Sequence, residues 1–100
     1  MPVPTPAVKA QHTAKFGAEV ILTGADFAEA SAALPDLIEQ RGQTLVHPFD
    51  DNLVIAGQGT VALEMSATMP DLNALVVAVG GGGLIAGMGT VVKAQDRAIE

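Results

Sequence analysis

Four consecutive glycines, Gly80, Gly81, Gly82 and Gly83, stand between an uncharged apolar run, residues 74–79, and a second apolar stretch that begins at Leu84. No regular element runs through such a block, because each glycine costs a helix about 1 kcal/mol relative to alanine and gives a strand no side chain to pack. The backbone must therefore change direction there. The run before it has the continuous apolar character of a parallel strand covered on both faces, and the stretch after it reads as a helix over about residues 84–94. A strand of that kind requires neighbouring strands and covering helices, which places the chain among α/β architectures.

The remainder of the chain supplies them on paper. Thr5 followed by Pro6 predicts a helix start, and Gly17 a stop, so residues 6–16 read as helical with Lys9 and Lys15 on the solvated side. Residues 19–23 form a β-branched run closed by Gly24. Asp26 and Glu29 make a capping pair for a helix reaching toward Gly42, which Pro35 must kink or split in two. Residues 44–47 read as a strand, 48–52 as a loop and 53–69 as a helix that Pro70 stops, with Met65, Met69 and Met88 filling core gaps. The expected fold is a small three-layer α/β sandwich, one domain over residues 1–100, with a short, mostly parallel sheet of about three strands and four helices.

Length and composition narrow the function classes. One hundred residues suffice for one small domain and one site. Five basic against eleven acidic residues leave a formal charge of −6, which opposes a nucleic-acid partner at long range while leaving room for a locally held phosphate. The absence of cysteine removes thiolate nucleophiles, thiolate metal sites and disulfides, in keeping with a cytoplasmic location. The proline-rich start lacks the basic and apolar regions of a signal peptide. Residues 72–92 are long and uncharged enough to span a bilayer, but six glycines interrupt them, so no membrane partner is expected.

A glycine loop between strand and helix suits an anion. Backbone N–H groups converge there on the positive end of a helix dipole, and no Cβ blocks the approach of a phosphate. A ligand-free tight turn is the alternative use of the same residues. Gly82 to Gly87 is followed by Met88 where a P-loop needs lysine, so that motif fails. Gly81, Gly83 and Ala86 fit a loose dinucleotide fingerprint, but no strand with an acidic end follows before Glu100.

Gly80 to Leu84 also resembles the tetraglycine loop that holds the cofactor phosphate in the pyridoxal-phosphate-dependent (fold type II) threonine dehydratase and serine racemase family. The stretches Thr5-Pro6-Ala7-Val8-Lys9, Gly17-Ala18-Glu19-Val20, His47-Pro48-Phe49-Asp50-Asp51 and Ile55-Ala56-Gly57-Gln58-Gly59-Thr60 are similar to that family in the same order and at similar spacing. The resemblance implies a truncated middle segment of the catalytic domain that binds pyridoxal phosphate non-covalently through Gly80, Gly81, Gly82, Gly83 and Leu84. It further implies that the Schiff-base lysine and the Ser-Ser-Gly-Asn-His-type substrate loop lie upstream, and the serine on the pyridine nitrogen and any acidic metal ligands downstream. Lys9, Lys15 and Lys93 do not match the lysine position, so ammonia-lyase activity is not expected of the chain alone.

His47, Asp50 and Asp51 form a second polar cluster. With His12 or Glu64 they could make a carboxylate–histidine metal site or an acid/base pair, although their spacing supports this little and no metal is expected. In their structural use the aspartates cap the next helix and His47 is bonded locally. Three functions follow: a phosphate-binding fragment, a minimal phosphate-ester hydrolase using the cluster, or a ligand-free assembly module. Homo-oligomerisation is expected under all three, because a segment of this kind exposes apolar surface.

Overall fold

The computed structural model describes residues 1–95 and 98–100, which form two compact units, Met1–Leu45 and Val46–Glu100. Helices in both begin and end where local chemistry satisfies or removes orphan backbone groups. In the first unit, α1 (Ala7–Lys15) follows Pro6, which itself takes the N-cap position, so Thr5 does not cap as expected. Gly17 closes α1 at φ +86°, with its N–H donating to the Ala14 carbonyl at 2.9 Å. Asp26 starts α2 (Phe27–Ala32) by accepting from the Glu29 N–H at 2.9 Å, and the Glu29 carboxylate accepts from the Ala25 N–H at 2.8 Å. This reciprocal pair is the expected cap.

Pro35 splits the next helix rather than bending it. It sits in the first turn of α3 (Leu34–Arg41), where its missing N–H has no acceptor to lose, and Gly42 ends that helix in the left-handed region at φ +61°. The Arg41 guanidinium forks onto the Glu19 carboxylate, which by that hydrogen bond and its charge holds Glu19 below the usual carboxylate range and raises Arg41. Both groups are exposed, so the pair contributes orientation more than stability.

The second unit is built on two helices, α4 (Asn52–Thr68) and α5 (Gly83–Gln95), packed against one another. Its core is Ala62, Met88, Val92 and Ile99, with Met65, Leu75, Val77, Leu84 and Val91 against it. Met88 and Met65 fill the core as expected, whereas Met69 is exposed. Asp51 begins α4 by accepting from the N–H groups of Leu53 and Val54 at 2.8 and 3.0 Å. Asp51→Ala is expected to lower the stability of this unit by about 1 kcal/mol, and Asp51→Asn by far less, in urea denaturation followed by circular dichroism.

The three-layer sandwich and its sheet are not formed. Among the described residues there are five helices and no strand. A parallel strand cannot satisfy its own backbone; its partners must come from neighbours, which these segments largely lack. The backbone of residues 19–23 is bonded to the chain start, through Thr23 N–H to Met1 O at 2.9 Å and the terminal ammonium to Ile21 O at 2.6 Å. Residues 44–47 straddle the boundary between the two units. Residues 74–79 are met at their start by the last residue, where Leu75 N–H donates to Glu100 O at 2.7 Å and Glu100 N–H to Asn73 O at 3.0 Å. The expected covering of 74–79 on both faces also fails: Leu75 and Val77 are half-buried on the core, while Val76 between them is 103% exposed. No helix among the described residues is long and apolar enough to cross a membrane.

Candidate functional site

The glycine block ends one extended segment and starts α5, as its sequence requires. Gly82 adopts φ +95°, a conformation that side-chain-bearing residues rarely take, and its carbonyl accepts the Ala86 N–H at 3.0 Å to open the helix. The N–H groups of Gly83, Leu84 and Ile85 therefore stand in the first turn without an intrahelical acceptor, at the positive end of the α5 dipole.

The four glycines divide into two kinds. A Cβ at Gly81 would lie 2.2 Å from the Phe49 ring, and one at Gly83 would lie 2.8 Å from the Phe49 carbonyl, so those two positions are glycine because Phe49 occupies the space. A Cβ at Gly80 or Gly82 would meet nothing within 4 Å. The loop is thus supported by Phe49 at alternate residues and open at the other two. A cavity of about 290 Å³ is lined by Phe49, Asp50, Ile55, Gly81, Gly82, Gly83 and Ala86. Bare backbone and open space at a helix start fit a phosphate group, which a methyl at Gly82 would crowd. Asp50 opposes this in part, because it lines the same cavity and its negative charge repels an anion.

The polar cluster is distributed over different tasks. His47 Nδ1 accepts from the N–H groups of Phe49 and Asp50, at 3.3 and 2.7 Å, and its ring meets that of Phe49 edge-on at 4.7 Å and 83°. Asp51 is engaged in capping α4, and Asp50 alone of the three lines the loop cavity. His12 lies in the other compact unit, and Glu64 sits in the later part of α4. No group of three metal-ligating side chains occurs among the described residues. Of the lysines, Lys9 and Lys15 are exposed on α1, and the Lys93 ammonium donates to the Ile99 carbonyl.

The sequence alone does not place Phe49 or Ile55 at the loop. Phe49 had a signal, being one of three aromatic residues and standing directly before the acidic pair. Its use against Gly81 and Gly83 is a tertiary contact that no local pattern encodes.

Residues 1–100 match the family described as pyridoxal-phosphate dependent enzyme. The chain is 52% identical over 93 residues to the L-threonine ammonia-lyase of Geobacter sulfurreducens, covering 93% of this chain and 23% of that protein. It is 44% identical over 99 residues to the catabolic L-threonine dehydratase TdcB of Staphylococcus aureus, covering 99% and 29% respectively. Its backbone follows that of maize serine racemase with a TM-score of 0.93 at 31% identity, over 99% of this chain and 30% of that one. The chain therefore spans roughly a quarter to a third of the length of the relatives it matches.

Proposed function

Because this chain belongs to the pyridoxal-phosphate-dependent enzyme family, we propose that it contributes the phosphate-binding part of a threonine dehydratase or serine racemase-like protein, with Gly80, Gly81, Gly82, Gly83 and Leu84 cradling the phosphate of pyridoxal phosphate. The observation that carries this reading is the glycine block at the start of α5, open at Gly80 and Gly82 and supported by Phe49 at Gly81 and Gly83. When bound, pyridoxal phosphate supplies an electron sink for reactions of amino acids. The chain's own contribution is to bind and orient the phosphate. The N–H groups at the helix start donate to its oxygens, and charge-assisted bonds of this kind are worth about 1.5–3 kcal/mol each.

Binding is proposed to be non-covalent and without ammonia-lyase turnover by this chain alone. None of Lys9, Lys15 and Lys93 lies in the glycine-loop cavity. The capping role of Asp51 and the acceptor role of His47 Nδ1 weigh against a hydrolytic His47/Asp50/Asp51 site. Exposed Val76 and Val79 support burial against further polypeptide, a second copy of the chain included.

Calorimetric titration with pyridoxal phosphate, repeated in excess inorganic phosphate, tests the cradle. Saturable binding that phosphate competes away is the expected result, and Gly82→Ala should weaken it about tenfold, because a Cβ at positive φ costs about 1–2 kcal/mol unless the loop shifts. Absence of binding by either ligand would overturn the reading.

A further inference from the structure

We propose that His47 is a positioning residue for the glycine loop: its neutral imidazole holds Phe49 against Gly81 and Gly83, so that anion affinity at residues 80–84 falls when the imidazole gains a proton. The inference rests on the cradle reading only for the identity of the loop's ligand. The coupling from His47 to the loop stands on geometry alone.

Two N–H donors, from Phe49 and Asp50, converge on Nδ1 at 3.3 and 2.7 Å. An atom that accepts two N–H groups carries no proton, so the ring is the neutral tautomer protonated at Nε2. The bonds fold residues 47–50 into a tight turn that sets the position of Phe49, whose ring also meets the imidazole edge-on at 4.7 Å. Phe49 is in turn the nearest neighbour of two loop glycines: its ring lies 2.2 Å from where a Cβ on Gly81 would be, and its carbonyl 2.8 Å from the same position on Gly83. Contact is close enough that a displaced Phe49 displaces the loop or leaves it unsupported.

Protonation converts Nδ1 from acceptor to donor. The N–H groups of Phe49 and Asp50 then face a third N–H, both bonds are lost, and the turn that places Phe49 must open. The charged groups on the same segment as His47 are Asp50 and Asp51. Helix α4 brings only Glu64 and α5 only Lys93, each in the far half of its helix, and the Lys93 ammonium is engaged with the Ile99 carbonyl.

The test follows the loop amides directly by nuclear magnetic resonance of the ¹⁵N-glycine-labelled full chain, without ligand, across the range in which imidazoles generally titrate, roughly pH 8 to 5. The Gly81 and Gly83 signals are expected to move with the same midpoint as the His47 ring. In His47→Asn they should stay constant over that range, because the side-chain oxygen of Asn can accept the same backbone N–H groups without titrating. Sulfate, whose charge is constant over this range, serves as the anion probe. Its affinity should fall on the order of tenfold from pH 8 to 5 in the parent chain, the size expected from losing two modest hydrogen bonds, and should be unchanged by pH in His47→Asn.

Glycine amides indifferent to the His47 titration, or a His47→Asn variant that titrates like the parent, would overturn the proposal. Amides that follow His47 while sulfate binds at no pH would support the coupling and overturn the cradle reading instead. Sulfate binding that does not change with pH in the parent chain would do the reverse. Helical circular dichroism at each pH separates opening of the turn from loss of α4 and α5.

Discussion

Gly87→Ala is expected to destabilise Val46–Glu100 by about 3 kcal/mol or more. A Cβ at Gly87 would lie 2.2 Å from the Ile55 carbonyl oxygen and 2.7 Å from the Gly59 nitrogen, both backbone atoms of α4, which cannot rotate out of the way as a side-chain tip could. Gly59 faces it with the same constraint, its own Cβ position 3.1 Å from the Gly87 carbonyl oxygen. The two helices approach at a pair of bare backbones, and a methyl on either must push them apart. Among the described residues only Ala62, Met88, Val92 and Ile99 are buried in the apolar core, so little reserve exists to absorb the shift.

Gly89→Ala is the matched control. It lies on the same helix, a Cβ there meets nothing within 4 Å, and helix propensity alone should make it neutral or stabilising by about 0.5–1 kcal/mol. Urea denaturation of the two variants, followed by the helical signal, gives the comparison. Equal stabilities would mean that α4 and α5 do not approach as closely at Gly87 as described.

Gly81→Ala should cost about 2 kcal/mol, because the added methyl lies 2.2 to 2.6 Å from three atoms of the Phe49 ring and one of the two must move. Phe49→Ala alone should cost about 1–2 kcal/mol, less than a fully buried phenylalanine, since Phe49 is only half-buried. Combined, the two changes should cost less than their sum by about 1 kcal/mol, since the second substitution removes the atoms with which the first collides. Strict additivity in this cycle would show that Phe49 does not support the glycine loop. Anion binding should weaken in both single variants, because each alters the loop that carries the donors.

The elements that could be read in advance are those whose hydrogen bonds close within a few residues. Asp26 and Glu29 cap α2 as a reciprocal pair, Pro35 divides the following helix at its first turn, and Gly17 and Gly42 end their helices at positive φ. The start of α5 follows from four glycines succeeded by a helix-competent run, and with it the candidate anion site. An α-helix satisfies its own backbone, so its boundaries are local chemistry.

Tertiary structure decided everything that needs a distant partner. The runs 19–23, 44–47 and 74–79 have the composition of strands, yet a strand exists only where neighbouring backbones answer its N–H and C=O groups, and among the described residues they do so at isolated positions. Likewise, only the close approach of α4 and α5 shows why no side chain fits at Gly59 or Gly87. Gly81 and Gly83 are interchangeable with Gly80 and Gly82 in the sequence, and only the position of Phe49 distinguishes them. Local sequence therefore determined the helices and the bare loop, because those features are satisfied by their own residues. Packing decided which glycines bear support and which face of residues 74–79 is covered, because each depends on atoms brought together across the chain.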